Sequence, residues 1–245
     1  LFRGNMRRLC SYMEGYGDLT LPLKAPEYGK KKAMEYFARA GYREMGEDGV
    51  LKNERGERLV VELTFADSST LMTNVCSILR QEALKCGVDL RLDPLTYNVC
   101  SRKVFEKRYQ AALWAWPLQT PFPRLYETFA SELAYDARGN PVGNTNNIFA
   151  VADTELDAAL DAERNAPDGA ALKKALHRAQ KRIHELCVWI PGWREPYTYV
   201  ACWRWIRWPE SPTRFCSPRI YNPLESHLYW VDEKMKKETQ EARRR

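Results

Sequence analysis

Histidine is scarce in this chain, with three among 245 residues, and the catalytic signatures that would give those three a role are missing. His177 and His184 are spaced to share one helix face, and His227 stands apart. His184-Glu185 has no second histidine at metal spacing, which excludes a zincin motif. The chain has no GxSxG elbow, no phosphate-cradling P-loop and no GxGxxG turn. No two cysteines stand at CxxC spacing, so neither a zinc ribbon nor a thioredoxin motif is signalled. No apolar run approaches the ~20 residues a membrane-spanning helix needs. Internal repeats and long low-complexity stretches are also missing.

Aromatics, by contrast, are dense. Eight Trp and thirteen Tyr exceed what the core of a chain this size requires, so some are expected to line a pocket or a partner surface. The seven cysteines are an odd number, which leaves at least one unpaired. Most sit among apolar residues, as in Glu185-Leu186-Cys187-Val188-Trp189, and read as small buried hydrophobes. The net charge of +6 is concentrated at the ends, at Arg3, Arg7 and Arg8 and at Arg243, Arg244 and Arg245. Between them the charges nearly balance, and a nucleic-acid partner is not expected. The first residue is Leu1, and we expect an upstream part, with any targeting signal, to precede it.

Periodicity predicts a short helix and loop over 1–28, then a helix from Lys30 to Ala40 stopped by Gly41. Residues 46–57 carry turn signals. Leu59, Val61, Leu63 and Phe65 alternate as a strand with one buried face. A helix capped near Ser69 follows, ended by Gly87. A second strand over Val88, Leu90 and Leu92 is expected to break at Pro94. A helix from about Thr96 to Arg108 and an apolar strand from Ala111 to Trp116 complete a strand-helix-strand-helix-strand pattern, the signature of a parallel sheet with right-handed crossovers. Two helices are expected from Thr154 and after Asp168. Strands are expected over Val188–Arg207, and a charged helix or tail at the end.

Three stretches can carry a ligand. In open α/β sheets ligands bind beyond the carboxyl ends of strands, and Ala111–Trp116 leads into Pro117-Leu118-Gln119 and two further prolines. Trp116 and Gln119 are candidates for one wall of a cleft; core packing is the competing reading for the tryptophans. Asn146 and Asn147, in the run Asn144-Thr145-Asn146-Asn147, offer amides suited to a peptide backbone, or they serve turn chemistry. Trp193 is the third candidate, beside Arg194, which can bind a carboxylate or pair with a local acid.

At these residues the chain resembles solute-binding protein family 5, the extracellular peptide binders of ABC importers, and within it the oligopeptide and microcin-peptide subgroup. Phe37-Ala38-Arg39-Ala40-Gly41-Tyr42 followed by Asp48-Gly49-Val50-Leu51 is similar to one family passage. Gln81 to Leu90, the Trp116 turn, Asp153-Thr154-Glu155-Leu156-Asp157, Ile183 to Pro191 and Ala201 to Ile206 resemble others, in the family's order, over roughly residues 1–235. The resemblance implies a periplasmic-binding-protein type II lobe: a mostly parallel sheet flanked by helices, with residues 1–196 forming the C-terminal α/β lobe. Residues 197–245 would supply strands returning to a first lobe that this chain, a C-terminal fragment about half the family's length, largely lacks. The apolar edges facing that lobe would then be exposed.

The resemblance also implies a function: a monomeric periplasmic or extracellular binder that captures peptides or related solutes between its lobes and delivers them to a membrane permease. It would have no catalysis, no cofactor and no metal. One departure stands out. Many family members carry an Asp three residues after the loop tryptophan, where it pairs with the ligand's amino terminus. Gln119 occupies that position here and cannot supply the charge. Two other classes stay open from the residues alone: an intracellular enzyme domain using Cys187 or a nearby histidine, and an interaction module with an aromatic surface.

Overall fold

A computed structural model describes residues 4, 6–14, 16–115, 125–194, 201–207 and 229–243. Strand β1 (Arg7–Arg8) opens the chain, a 3-10 turn spans Gly17–Leu19, and α1 covers Lys30–Arg39. The hairpin β2 (Glu44–Met45) and β3 (Leu51–Lys52) leads to β4 (Val60–Ala66), α2 (Thr70–Lys85), β5 (Asp89–Leu95), α3 (Tyr97–Phe105) and β6 (Ala111–Leu113). Helices α4 (Leu125–Phe129), α5 (Thr154–Arg164) and α6 (Gly169–Leu186) follow. The strands β7 (Trp193–Arg194), β8 (Ile206–Arg207) and β9 (Trp230–Val231) and helix α7 (Glu233–Arg243) complete the order.

The centre is a parallel sheet in the order β5-β4-β6. The chain steps from β4 to β5 on one side, then crosses back over β4 to β6. Right-handed crossovers in opposite directions put their helices on opposite faces, and the packing follows. Leu63, Phe65, Leu90, Leu92, Ala111 and Leu113 meet Cys76 and Met72 of α2. Ala66, Leu95, Ala112 and Trp114 lie on the other face with Cys100 and Val104 of α3. The expected α/β class and its parallel sheet are therefore observed.

The helix ends follow local chemistry. The Ser69 hydroxyl caps α2 by accepting from the Leu71 N–H at 3.2 Å, and Asp168 caps α6 through Ala171 at 2.8 Å. Gly41 ends α1 with φ +92, the Tyr42 N–H reaching the Phe37 carbonyl in a Schellman arrangement. Gly87 ends α2 in the same way at φ +83. There a Cβ would also sit 2.6 Å from Leu51 Cγ, so no side chain fits.

Four expectations are corrected. Pro94 does not break β5, which continues to Leu95. The Asp89 N–H bonds Leu59 and the Leu95 carbonyl accepts from Asp67, so odd-numbered residues face β4. The Pro94 nitrogen points to the open edge, where no ladder bond is lost. Secondly, β6 ends at Leu113, short of Trp114. Thirdly, the first 28 residues contain no α-helix among those described. Instead Tyr12, Met13 and Tyr16 insert into the helical core, and the buried Gln180 of α6 holds this segment through the Leu19 carbonyl and the Leu21 N–H, each at 2.8 Å. Finally, the expected strands over Val188–Arg207 reduce, among the described residues, to β7 and β8. Each of these has a single short antiparallel partner, β1 and β9.

The second core joins α4, α5, α6 and the N-terminal segment around Phe129, Leu156, Leu160, Leu176 and Ile183. Its corner is Asp153. This carboxylate caps α5 through the Leu156 N–H at 2.8 Å and forks onto Arg182 of α6 at 2.9 and 2.6 Å, with side-chain exposures of 16% and 27%. Asp153→Ala removes a cap and a charge pair at once and is expected to cost about 2–3 kcal/mol in urea denaturation at pH 7. The Arg182 guanidinium holds the Asp153 carboxyl below its usual range. Its contribution is therefore present above the unfolded-state pKa and lost as pH falls through the folded one.

Candidate functional site

Strands β4 and β6 are parallel neighbours, so their carboxyl ends lie side by side. After β4 the chain turns through Asp67-Ser68-Ser69 into α2 on one face. After β6 it passes through Trp114 and Ala115, and Trp114 lies against α3 on the other face. The carboxyl ends of adjacent strands are where open α/β sheets receive ligands. Trp114 follows the β6 end, stacked on Tyr97 with ring centres 5.9 Å apart and edge-on to Phe105 at 6.3 Å. Tyr97 is 59% exposed, so this aromatic pair reaches solvent beside the strand ends. Trp116 and Gln119 lie outside the described residues.

The asparagine run belongs to a loop tied to α3 and α4. The Asn144 N–H bonds the Phe105 carbonyl at 3.0 Å, and Asn144 adopts φ +58, a conformation asparagine tolerates. The Lys107 ammonium donates to the Val142 carbonyl and to the Thr145 hydroxyl. Burial pushes the Lys107 pKa down. Asn147 is fully buried and its amide is spent inside the protein: it donates to the Ala130 and Val151 carbonyls at 2.9 and 3.0 Å and accepts from the Val151 N–H. It shapes the loop. Asn146 is half-buried, and its side chain makes no hydrogen bond to another described residue.

Trp189 packs edge-on against Tyr12 at 5.3 Å and is part of the core. Trp193 lies in β7, half-buried and opposite Arg8. Arg194 has no acidic partner among the described residues, and its Nε is buried without a hydrogen bond. A tight polar group sits under α3, where Lys103 bonds Glu62 and Asp93, both at 2.7 Å, and the buried Thr64 hydroxyl donates to Asp93. These contacts anchor α3 to the sheet. Cys187 reaches the His184 backbone carbonyl, not its ring, and His177 contacts the Asp18 carbonyl. Among the described residues no group of His, Cys, Asp and Glu has the arrangement of a metal site, and no helix is long and apolar enough to cross a membrane.

The structure thus separates the candidates. Trp114 and Tyr97 stack beyond the strand ends, Asn146 rides on the loop against α3, and Trp193 sits in the β1–β7 ribbon. Sequence reasoning missed Tyr97, although an aromatic directly after the β5 end was a readable signal.

No protein-family model matches the sequence, and a search of characterised proteins finds no match. Solved structures do match. The oligopeptide-binding protein AppA of Bacillus subtilis, in complex with a nonapeptide, aligns with 94% of this chain and 43% of its own, with a TM-score of 0.69 at 15% identity. The periplasmic oligopeptide-binding protein of Thermotoga maritima, bound to mannohexaose, aligns over 93% of this chain and 45% of its own, with a TM-score of 0.66 at 13% identity. The chain has the fold of the family 5 solute-binding proteins. NikZ of Campylobacter jejuni, in complex with Ni(L-His), shares that fold over 78% of this chain and 37% of its own, at a TM-score of 0.64 and 19% identity. In each case this chain spans less than half of the solute-binding protein it matches.

Proposed function

We propose that this chain is part of the substrate-binding component of an ABC importer. It contributes one lobe and the strand-end wall of a cleft that captures peptides or related solutes in the periplasm or at the cell surface. A membrane permease is the partner that takes the solute, and no chemistry is done on it. The observation that carries this reading is the solvent-reaching Tyr97–Trp114 pair beyond the strand ends, in a chain whose fold is shared with peptide-, oligosaccharide- and nickel-complex-bound proteins. Trp116 and Gln119, which follow β6 in the sequence, are assigned to the solute together with Asn146 and Trp193, and Asn147 holds the loop in place. Residues from 197 onward belong to the return toward the other lobe. Their described part is a ribbon and helix pinned by Trp203, which stacks on Trp205 at 4.7 Å under the Arg243 guanidinium.

Thermal melting with added solutes tests the reading, since a ligand that binds only the folded state stabilises it by mass action. The probes are a nonapeptide with a free and with an acetylated amino terminus, mannohexaose, and a nickel–histidine complex. A peptide at about 100 times its Kd is expected to add about 2.7 kcal/mol, a rise of several degrees. With Gln119 in place of a carboxylate, the free and acetylated forms are expected to bind within a few-fold of each other. Trp116→Ala is expected to weaken binding at least tenfold. An unchanged affinity would remove Trp116 from the site, and a shift with mannohexaose alone would overturn the peptide assignment.

A further inference from the structure

Helix α1 and the last turns of α2 carry a surface that the solute-binding reading leaves unused. Residues 24–43 hold six cations, Lys24, Lys30, Lys31, Lys32, Arg39 and Arg43, against two acids, Glu27 and Glu35. Among the described residues only Lys32 and Arg43 of these cations pair with an acid, Glu35 at 3.4 Å and Glu54 at 3.6 Å. No residue of α1 is fully buried. Helical spacing puts Lys32, Tyr36 and Arg39 on one stripe. The Lys32 ammonium and the Arg39 guanidinium lie 5.6 and 5.5 Å from the centre of the Tyr36 ring, which is 56% exposed.

Just before α1, Tyr28 is 80% exposed and donates to the Glu82 carboxylate of α2 at 2.9 Å. That bond brings the start of α1 to the side of α2. Ile78 lies one turn before Glu82 on the same stripe of α2, and Ile78 and Leu79 are 44% and 42% exposed. The acids on this face are answered locally, Glu35 by Lys32 and Glu82 by Lys85 at 2.6 Å. Exposed tyrosine and aliphatic side chains thus stand among cations that outnumber the acids.

We propose that this face docks on an anionic lipid bilayer. Its charge selects an anionic partner. The groups between the cations select lipid over an acidic protein. Tyrosine rings suit the headgroup level, and exposed Ile and Leu reach the acyl boundary. Lysine stems lie along apolar surface while their ammoniums stay in water. Each cation near an anionic leaflet contributes about fivefold in affinity, so this face makes a salt-sensitive contact and not an insertion. The docking is independent of the solute-binding reading; for a solute binder it means retention at the membrane that holds the permease.

The test sediments the 245-residue chain with vesicles of phosphatidylcholine alone and of an equal phosphatidylglycerol–phosphatidylcholine mixture. Binding is expected to the mixture only, and to fall steeply with added salt. Lys30→Gln/Lys31→Gln/Arg39→Gln changes exposed positions and is expected to weaken binding about a hundredfold. The same loss of charge on α7, Lys234→Gln/Lys236→Gln/Lys237→Gln, is expected to change it by no more than about twofold, being remote from the docked face. Ile78→Ser keeps every charge and is expected to weaken binding severalfold. Arg39→Gln alone, with an expected loss of about fivefold, carries the test if the triple α1 variant does not fold. No binding to the mixture, equal binding to both vesicles, or equal losses in the α1 and α7 variants overturns the proposal. A dimer in solution that the α1 variant dissociates also overturns it, since a second copy is then the occupant. Binding that depends on α1 in a chain whose melting no solute shifts supports the docking face and separates it from a failure of the solute-binding reading.

Discussion

Phe129→Ala is expected to cost about 3–5 kcal/mol, the range for truncating a fully buried aromatic. Phe129 has no exposed surface and sits where three segments meet. Tyr12 of the N-terminal segment packs edge-on at 4.9 Å, and Phe149 stacks on it at 4.9 Å. Phe149 also touches the cluster under α3. The ring therefore links the helical core to the sheet. Against a typical total of 5–15 kcal/mol, this loss should move the urea midpoint sharply. A loss under 1 kcal/mol would mean that the two cores do not depend on this contact.

Glu163→Gln is expected to stabilise the protein, and only above mildly acidic pH. Glu163 lies in the last turn of α5, where one carboxyl oxygen is buried without a partner and the other accepts from the Leu125 N–H at the start of α4. No cation among the described residues offsets the burial, which pushes the carboxyl from 4.5 up to about 7. The folded pKa exceeds the unfolded one. The site is therefore without penalty below pH 4.5, loses stability as pH rises from 4.5 to about 7, and carries a constant cost above that. At about 1.4 kcal/mol per pKa unit, the cost at pH 8 is roughly 3 kcal/mol. Glutamine keeps the shape and an acceptor but does not ionise. Melting curves of the parent and the variant should coincide at pH 4 and separate by several degrees at pH 8. Equal separation at both values would assign the effect to packing instead. Asp153 has the opposite sign, so the parent's stability should be squeezed from both sides of the mildly acidic range.

Much of the secondary structure was legible along the chain because its causes are local. The Ser69, Asp153 and Asp168 caps, the Gly41 and Gly87 stops, and the alternation of Leu63 with Phe65 each act within one or two turns. Pro94 was misjudged because its effect depends on which side of the strand faces a neighbour, and that is set by register with β4. The N-terminal segment was misjudged because Tyr12, Met13 and Tyr16 earn their burial from α5 and α6, far along the chain. The candidate site divided in the same way. The aromatic exit of β6 and the asparagine loop were visible as composition. Whether an amide was free for a ligand was not: Asn147 is consumed by Ala130 and Val151, while its neighbour Asn146 is not.

By itself the sequence determined helices α1, α2, α3, α5 and α6, the parallel β-α-β order and the family resemblance, since periodicity, capping and turn chemistry are properties of short stretches. Only the tertiary structure decided that α2 and α3 take opposite faces of the sheet, with Trp114 against α3. The same holds for the facing of Arg7 and Arg194 and for the apolar residues Ile78, Leu79 and Leu84 left on the surface of α2. Those outcomes depend on which distant segments come together, and the loop-closing pairings that bring them together leave no mark on the local pattern of residues.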